Sequence, residues 1–236
     1  MAQPFNARKL STTGIPVPIA SPVAFVNDGL TSRGEFSVSQ NGILAYISGG
    51  LISNSNDSNV VQLTWFDRTG KVLGTAGTPG IQSRGAISPD GRTVAVVRKD
   101  SQSFFDVWIN DLARGTASRF TFGTGNKLFP VWSPDGGHIA FRSSGFQRAN
   151  ANLYQKATNG AAEDEELVKD APSMRPDDWS RDGRYIIGET LAVSKSGTDV
   201  WVLPLFGDRK PFPYLHTDFN EHDARLSPNG QWLALS

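Results

Sequence analysis

Four residues, Ser88-Pro89-Asp90-Gly91, return as Ser133-Pro134-Asp135-Gly136, Ser180-Arg181-Asp182-Gly183 and Ser227-Pro228-Asn229-Gly230, and a worn copy, Ser39-Gln40-Asn41-Gly42, comes first. Their serines are 49, 45, 47 and 47 residues apart. A near-constant step of this size marks a chain made by stacking one supersecondary unit on the next. The chemistry of the four residues names the unit's centre. Glycine accepts positive φ at little steric cost, proline presets the turn, and the serine hydroxyl bonds to nearby turn groups. Each copy therefore predicts a tight hairpin, which assigns Asn41, Gly42, Asp90, Gly91, Asp135, Gly136, Asp182, Gly183, Asn229 and Gly230 to structural turns. Taken singly, Asp90, Asp135 and Asp182 have the look of catalytic carboxylates; their shared turn setting assigns them structural duty instead.

Around each turn the same strands recur. In the unit over about 33–80, Phe36 and Val38 alternate with serines, Ile43 to Ile47 follow the turn, and Val61, Leu63 and Trp65 alternate with polar residues. Asp67 to Gly70 then predicts a hairpin and Lys71 to Thr75 a fourth strand. Gly49 to Asn59 is polar and rich in glycine and asparagine, and is expected as a surface loop. The units over 82–125, 128–170 and 174–217 repeat the scheme, with Ala86-Ile87, Val131-Trp132 and Asp178-Trp179 as first strands. Four short antiparallel strands per unit with no helical period fit the blade of a β-propeller, an all-β fold. A sandwich has no need of the same turn at equal steps. Aromatic residues follow the period too. Trp108, Tyr154 and Trp201 recur on third strands, while Phe141 and Trp232 are expected to pack between blades.

Four units leave two remnants. Residues 1–28 read as the last two strands of a blade and 221–236 as the first two, so joining them gives a fifth blade and a closed, monomeric ring with no exposed sheet edge. That requires Ala2 to Phe5 to pair with Gln231 to Leu235; the alternative is an open arc. The whole is expected as a single propeller domain over 1–236.

Composition bears on function mainly by exclusion. The 23 basic and 23 acidic side chains balance, which gives no electrostatic footprint for nucleic acid. No apolar run reaches the length needed to span a bilayer, and the opening residues lack the pattern of a secretory signal. Cysteine is absent, which removes disulfides, thiolate metal sites and a cysteine nucleophile. No nucleophile elbow, phosphate-binding glycine loop or zinc-protease histidine pair occurs. His216 and His222, with Glu221 and Asp223 nearby, form too loose a cluster for a metal site, and no cofactor is implied. Glu163 to Glu166 is an acidic run expected as a solvated loop. Asn56-Asp57-Ser58 matches a glycosylation acceptor, relevant only in a secreted eukaryotic protein.

Trp132-Ser133-Pro134-Asp135-Gly136 followed by His138-Ile139-Ala140-Phe141 resembles the WD40-like (PD40) repeat of TolB-type β-propellers. Asp106-Val107-Trp108-Ile109 and Asp199-Val200-Trp201-Val202-Leu203 resemble the strand that follows it. The chain as a whole is similar to the propeller region attached to bacterial, notably acidobacterial, serine/threonine protein kinases. Kinase and hydrolase motifs are absent, so no catalytic residue carries over. The resemblance implies a bacterial propeller, periplasmic or extracellular if it comes from a membrane-kinase sensor, with a covalently attached domain in such a parent. Three functions fit: a non-catalytic scaffold or sensor that binds a protein or peptide, a ligand-free structural fragment or designed minimal propeller, and an enzyme with a central-channel site. Arg84, Arg175, Asp177, Glu221 and His222, polar residues in the connections, are the candidates for lining a channel or face. The absence of an assembled catalytic motif favours the first.

Overall fold

The computed structural model describes residues 5–6, 9, 11–16, 25–27, 32–34, 36–38, 44–48, 51–53, 60–66, 71–99, 104–144, 151–160, 163–168, 172–190, 197–217, 219–227 and 229–235. Every regular element among them is a strand. A hairpin of β1 (Phe5–Asn6) and β2 (Ser11–Thr12) comes first. β3 (Phe25–Asn27), β4 (Ser32–Gly34), β5 (Phe36–Val38), β6 (Leu44–Ser48), β7 (Leu51–Ser53), β8 (Val61–Phe66) and β9 (Val72–Gly80) follow. Of these, β5, β6, β8 and β9 form the first four-stranded antiparallel sheet. The second sheet runs β10 (Gln82–Ile87), β11 (Thr93–Lys99), β12 (Phe105–Asp111) and β13 (Thr116–Arg119). The third runs β14 (Asn126–Trp132), β15 (His138–Ser144), β16 (Ala151–Ala157) and β17 (Glu165–Glu166). The fourth runs β18 (Met174–Trp179), β19 (Tyr185–Thr190), β20 (Val200–Pro204) and β21 (Phe212–Leu215). A last pair, β22 (Arg225–Leu226) and β23 (Leu233–Ala234), stands alone.

The sheets stack because their middle strands are apolar on both faces. Side chains of a strand alternate between faces. In β11, Val94 and Val96 pack on Leu63, Trp65 and Ala76 of the first sheet, while Ala95 joins Ile139 and Phe141 of the third. In β15, Ala140 turns the other way, towards Met174, Trp179 and Ile186 of the fourth sheet. Ile187 of β19 continues the series, packing with Ala224, Leu226 and Leu233 of the last pair. The core is therefore a set of layers between successive sheets. First strands pack side by side, β5 on β10, β10 on β14, β14 on β18 and β18 on β22, which makes them the inner strands of a radial array.

The repeated turns are built alike. In the second sheet the Ser88 hydroxyl donates to Asp90 Oδ1 (2.6 Å) and accepts from the Thr93 N–H (3.0 Å), the Arg92 N–H donates to Asp90 Oδ1 (3.0 Å), and Gly91 has φ 71°. Ser133 and Ser180 make the same bonds with Asp135 and Asp182, and Ser227 makes them with Asn229. The Ser88 hydroxyl, Ser133 hydroxyl and Ser180 hydroxyl hold Asp90, Asp135 and Asp182 below the usual carboxylate range.

Several expectations need correction. Leu51 to Ser53, read as loop, forms β7 and pairs in parallel with β3, because Leu51 and Ile52 are apolar residues inside an otherwise polar run. Glu165 and Glu166 form β17 rather than a loop; Glu165 is held by Arg209 at 2.9 Å and by the Gln155 amide at 2.7 Å. Trp232 is 50% exposed, in contrast to fully buried Phe141. It directly precedes β23, at the repeat place of Thr93, His138 and Tyr185, and the interlayer positions belong to Leu226 and Leu233. Asn41, Gly42, Asp67 to Gly70, Asn56 to Ser58 and Ala2 to Pro4 lie outside the described residues. Phe5 pairs with Thr12, and β23 pairs with β22, so among the described residues the two half-blades are separate sheets.

Candidate functional site

Inner strands of the array carry a bulge at a repeating place. Register shifts fall between Ser83 and Ala86 in β10, between Leu128 and Val131 in β14, and between Pro176 and Asp178 in β18. The fourth residue before each turn serine sits there: Arg84, Phe129 and Pro176, with Asp223 equivalent in the last unit. Arg84, Phe129 and Asp223 have φ 55°, 61° and 51°, a region that side chains other than glycine rarely enter. Proline has φ fixed negative, and in that sheet the extra residue is Asp177. A bulge re-aims side chains. Here it directs the unlike residues of each repeat to the inner end of the sheets.

These bulges bring four of the five sequence candidates into one connected group. The Arg84 guanidinium lies 4.0 Å from the centre of the Phe129 ring, and Arg175 lies 5.1 Å from the same ring, so one aromatic separates two cations. Arg175 is 3% exposed. Its Nη2 donates to Asp223 Oδ1 at 3.1 Å and lies 2.8 Å from Glu189 Oε2; its Nε is 3.3 Å from Asp177 Oδ1. His222 Nδ1 is 3.2 Å from the same Glu189 oxygen and 3.2 Å from the Thr198 hydroxyl. The fifth candidate, Glu221, is adjacent in sequence but faces elsewhere: its N–H donates to the Thr198 carbonyl, and its Oε1 accepts from the Thr217 hydroxyl. Gly188 permits the tight packing beneath the group, since a Cβ there would lie 2.1 Å from the Arg175 carbonyl oxygen.

One buried guanidinium thus faces three carboxylates. Burial pushes the Asp177 carboxyl up to about 7 against the attraction of Arg175, and burial likewise raises Glu189. Asp177 Oδ2 and Glu221 Oε2 are buried and accept no hydrogen bond. The arrangement favours a proton on Asp177 near neutral pH and draws side chains from β10, β14, β18 and β19 and from the stretch before β22. The two histidines part company: His216 Nδ1 is 2.8 Å from Asp199, while His222 meets Glu189. Among the described residues no three His, Asp or Glu side chains are grouped to hold a metal ion. Two open clefts, about 730 and 520 Å³, lie between the third and fourth sheets beside Leu167 and Arg209, and neither is lined by this group.

Sequence reasoning missed Phe129, Glu189, Thr198 and Asp223. Phe129 and Asp223 had a usable signal, since they hold the repeat position of Arg84. Glu189 had a weaker one, as a carboxylate closing the apolar run Tyr185-Ile186-Ile187. Thr198 had none.

No protein-family model matches the chain. A stretch of 96 residues, 39% of the chain, is 32% identical to the Tol-Pal system protein TolB of Alcanivorax borkumensis and spans 21% of that protein's length. The solved structure of a putative TolB from Agrobacterium tumefaciens superposes with a TM-score of 0.65 over 87% of this chain and 71% of that one, at 17% identity. A gluconolactonase from Xanthomonas campestris superposes with a TM-score of 0.58 over 85% and 67%, at 12% identity. At these identities the likeness establishes the fold. The chain has a TolB-like β-propeller fold.

Proposed function

We propose that this chain is a non-catalytic propeller scaffold or sensor module that binds a protein or peptide partner at the inner end of its blades. The observation that carries it is the set of inner-strand bulges. The same backbone place, held at positive φ in three of the units, bears Arg84, Phe129 and Asp223, and in the fourth sheet the buried Arg175 and Asp177 flank its Pro176. Structural duty alone asks for no such variety, whereas a face that recognises a partner needs unlike groups at fixed positions. The fifth blade belongs to the same proposal, with residues 1–28 completing 221–236 into a ring. A bacterial periplasmic or extracellular setting and an attached kinase domain are the context that the repeat resemblance brings.

A second, enzymatic reading draws on the buried Asp177 carboxyl, since perturbed acids cluster at active sites. Asp177 is 4% exposed and neither cleft reaches it, which favours binding over catalysis. Partner capture from bacterial extract by the purified chain tests the proposal. A captured protein whose retention falls at least about tenfold with Arg84→Glu, with the fold intact, supports it. No protein above background, or retention indifferent to Arg84, refutes it.

A further inference from the structure

The last pair of strands is held by few contacts. Ala224, Leu226 and Leu233 pack on Ile187, Val200 and Val202, the Leu226 N–H donates to Asp178 Oδ2 at 2.8 Å, and the Glu221 N–H donates to the Thr198 carbonyl at 3.0 Å. Both strands are two residues long, and among the described residues no strand pairs with the far edge of β23. The Thr198 N–H also donates to Asn220 Oδ1 at 2.9 Å and its hydroxyl meets His222 Nδ1 at 3.2 Å, and beside these an ionic link straddles the seam. Arg175, Asp177 and Glu189 come from the fourth sheet; His222, Asp223 and Arg225 come from the last unit.

We propose that this seam is a proton-operated latch: with a proton held in the cluster the terminal strands are docked on the fourth blade, and loss of that proton sets Asp177 and Glu189 against Asp223 and loosens β22 and β23. Glu189 and Asp223 approach the same Nη2 of Arg175, so their like charges face each other across one nitrogen. Asp177 is faced by Arg175, Glu189, Arg225 and Asp223; Glu189 is faced by Arg175, His222 and Asp223. The third sheet adds the Phe129 ring, which Arg84 also approaches. Arg175 is shared by the buried Asp177 and Glu189 and the part-exposed Asp223, and low dielectric amplifies the imbalance. Burial raises both Asp177 and Glu189, and the Asp177 carboxyl, pushed up to about 7, places its change near neutral pH. The latch is independent of any partner, so it stands or falls apart from the binding proposal.

Amide exchange on the full chain tests it, with rates corrected for intrinsic pH dependence. Protection of the β22 and β23 amides falls about tenfold from pH 6 to pH 8, while β11 and β15 amides stay unchanged. Asp177→Asn, a neutral isostere, keeps at pH 8 the protection that the parent shows at pH 6. Asp223→Asn, at the more exposed side of the seam, serves the same purpose if Asp177→Asn fails to fold. Protection of β22 and β23 that is the same at both pH values overturns the latch. So does a loss shared equally by β11 and β15, or a pH dependence that persists in the folded variant.

Discussion

Replacing Arg175 by methionine removes the buried positive charge that contacts three carboxylates while leaving a side chain of similar reach. Arg175, Glu189 and Asp177 have side chains 4%, 2% and 3% exposed, so the charges left behind are poorly solvated; Asp223, at 21%, is better off. Removing one member of a buried pair costs about 3–5 kcal/mol. The three contacts are not additive, because the stranded carboxylates take up protons. That uptake gives the variant a distinctive pH profile. Folded Asp177 already keeps its proton up to about pH 7, whereas the unfolded group loses it near 3.8. Between those values the native state binds the extra proton, so this term favours folding at acid pH and is lost as pH rises through about 7. In Arg175→Met the Glu189 carboxyl loses the charge that opposes the effect of its burial and is raised further, which steepens the fall. The expected loss is about 3–5 kcal/mol at pH 7.5, or roughly 6–20 °C in Tm for a chain of this size, and clearly less at pH 5.5. Urea and thermal unfolding followed by tryptophan fluorescence at both pH values measure it. A loss below about 1 kcal/mol at pH 7.5, or equal losses at the two pH values, refutes Arg175 as the keystone of the group.

Two further outcomes follow from the repeated turn and the open ends. Ser133→Ala removes the hydroxyl that binds both Asp135 and the His138 N–H, and is expected to lower stability by about 1–2 kcal/mol near neutral pH. Because the Ser133 hydroxyl depresses the Asp135 pKa, that term is present above the unfolded value and lost as pH falls through the lower folded one, so parent and variant converge in acid unfolding curves; an undiminished gap at pH 2–3 tells against it. For ring closure, the cysteine-free chain makes disulfide trapping clean: one of Asn6→Cys and Ser11→Cys, combined with Ala234→Cys, gives an intrachain bond in a monomer if the ends share a blade. Interchain bonds only, or none, sink the five-blade ring.

Legibility in the sequence followed locality. The turn could be read because all of its bonds lie within five residues: Ser133 reaches Asp135 two positions on and His138 five positions on. First strands were read only in part. Val131-Trp132 was recognised, but β14 begins at Asn126, since the bulge at Phe129 interrupts the alternation that reveals a strand. The candidate group straddles those same interruptions. Arg175, Asp177 and His222 were visible as polar residues out of place, yet their common partner Glu189 is 33 residues from His222 and sits on a different strand. No local pattern announces that pairing. β7 escaped for a related reason: its partner β3 is some 26 residues away and the pairing is parallel.

Contact between neighbouring blades shows what the repeat must keep and what it is free to change. Two residues before the turn serine stand Ser37, Ala86 and Asp178, and each accepts a hydrogen bond from the unit that follows. Ser37 Oγ takes the Ile87 N–H (3.1 Å), the Ala86 carbonyl takes the Trp132 indole N–H (2.8 Å), and Asp178 Oδ2 takes the Leu226 N–H (2.8 Å). Three chemistries meet one geometric demand, because a stacked array is stabilised seam by seam and each seam needs only its own solution. Two residues earlier, at the bulge, the side chains share no common bond: Arg84 meets the Phe129 ring and Asp223 accepts from Arg175 across the seam, while the backbone holds positive φ at Arg84, Phe129 and Asp223. Strain of that kind persists where surrounding structure enforces it and is concentrated at functional positions. The inference to function therefore rests on the contrast between two places in one repeat. One varies in chemistry while serving the same bond; the other varies in chemistry, carries strain, and links Arg84 of the second sheet through Phe129 to the charges around Arg175.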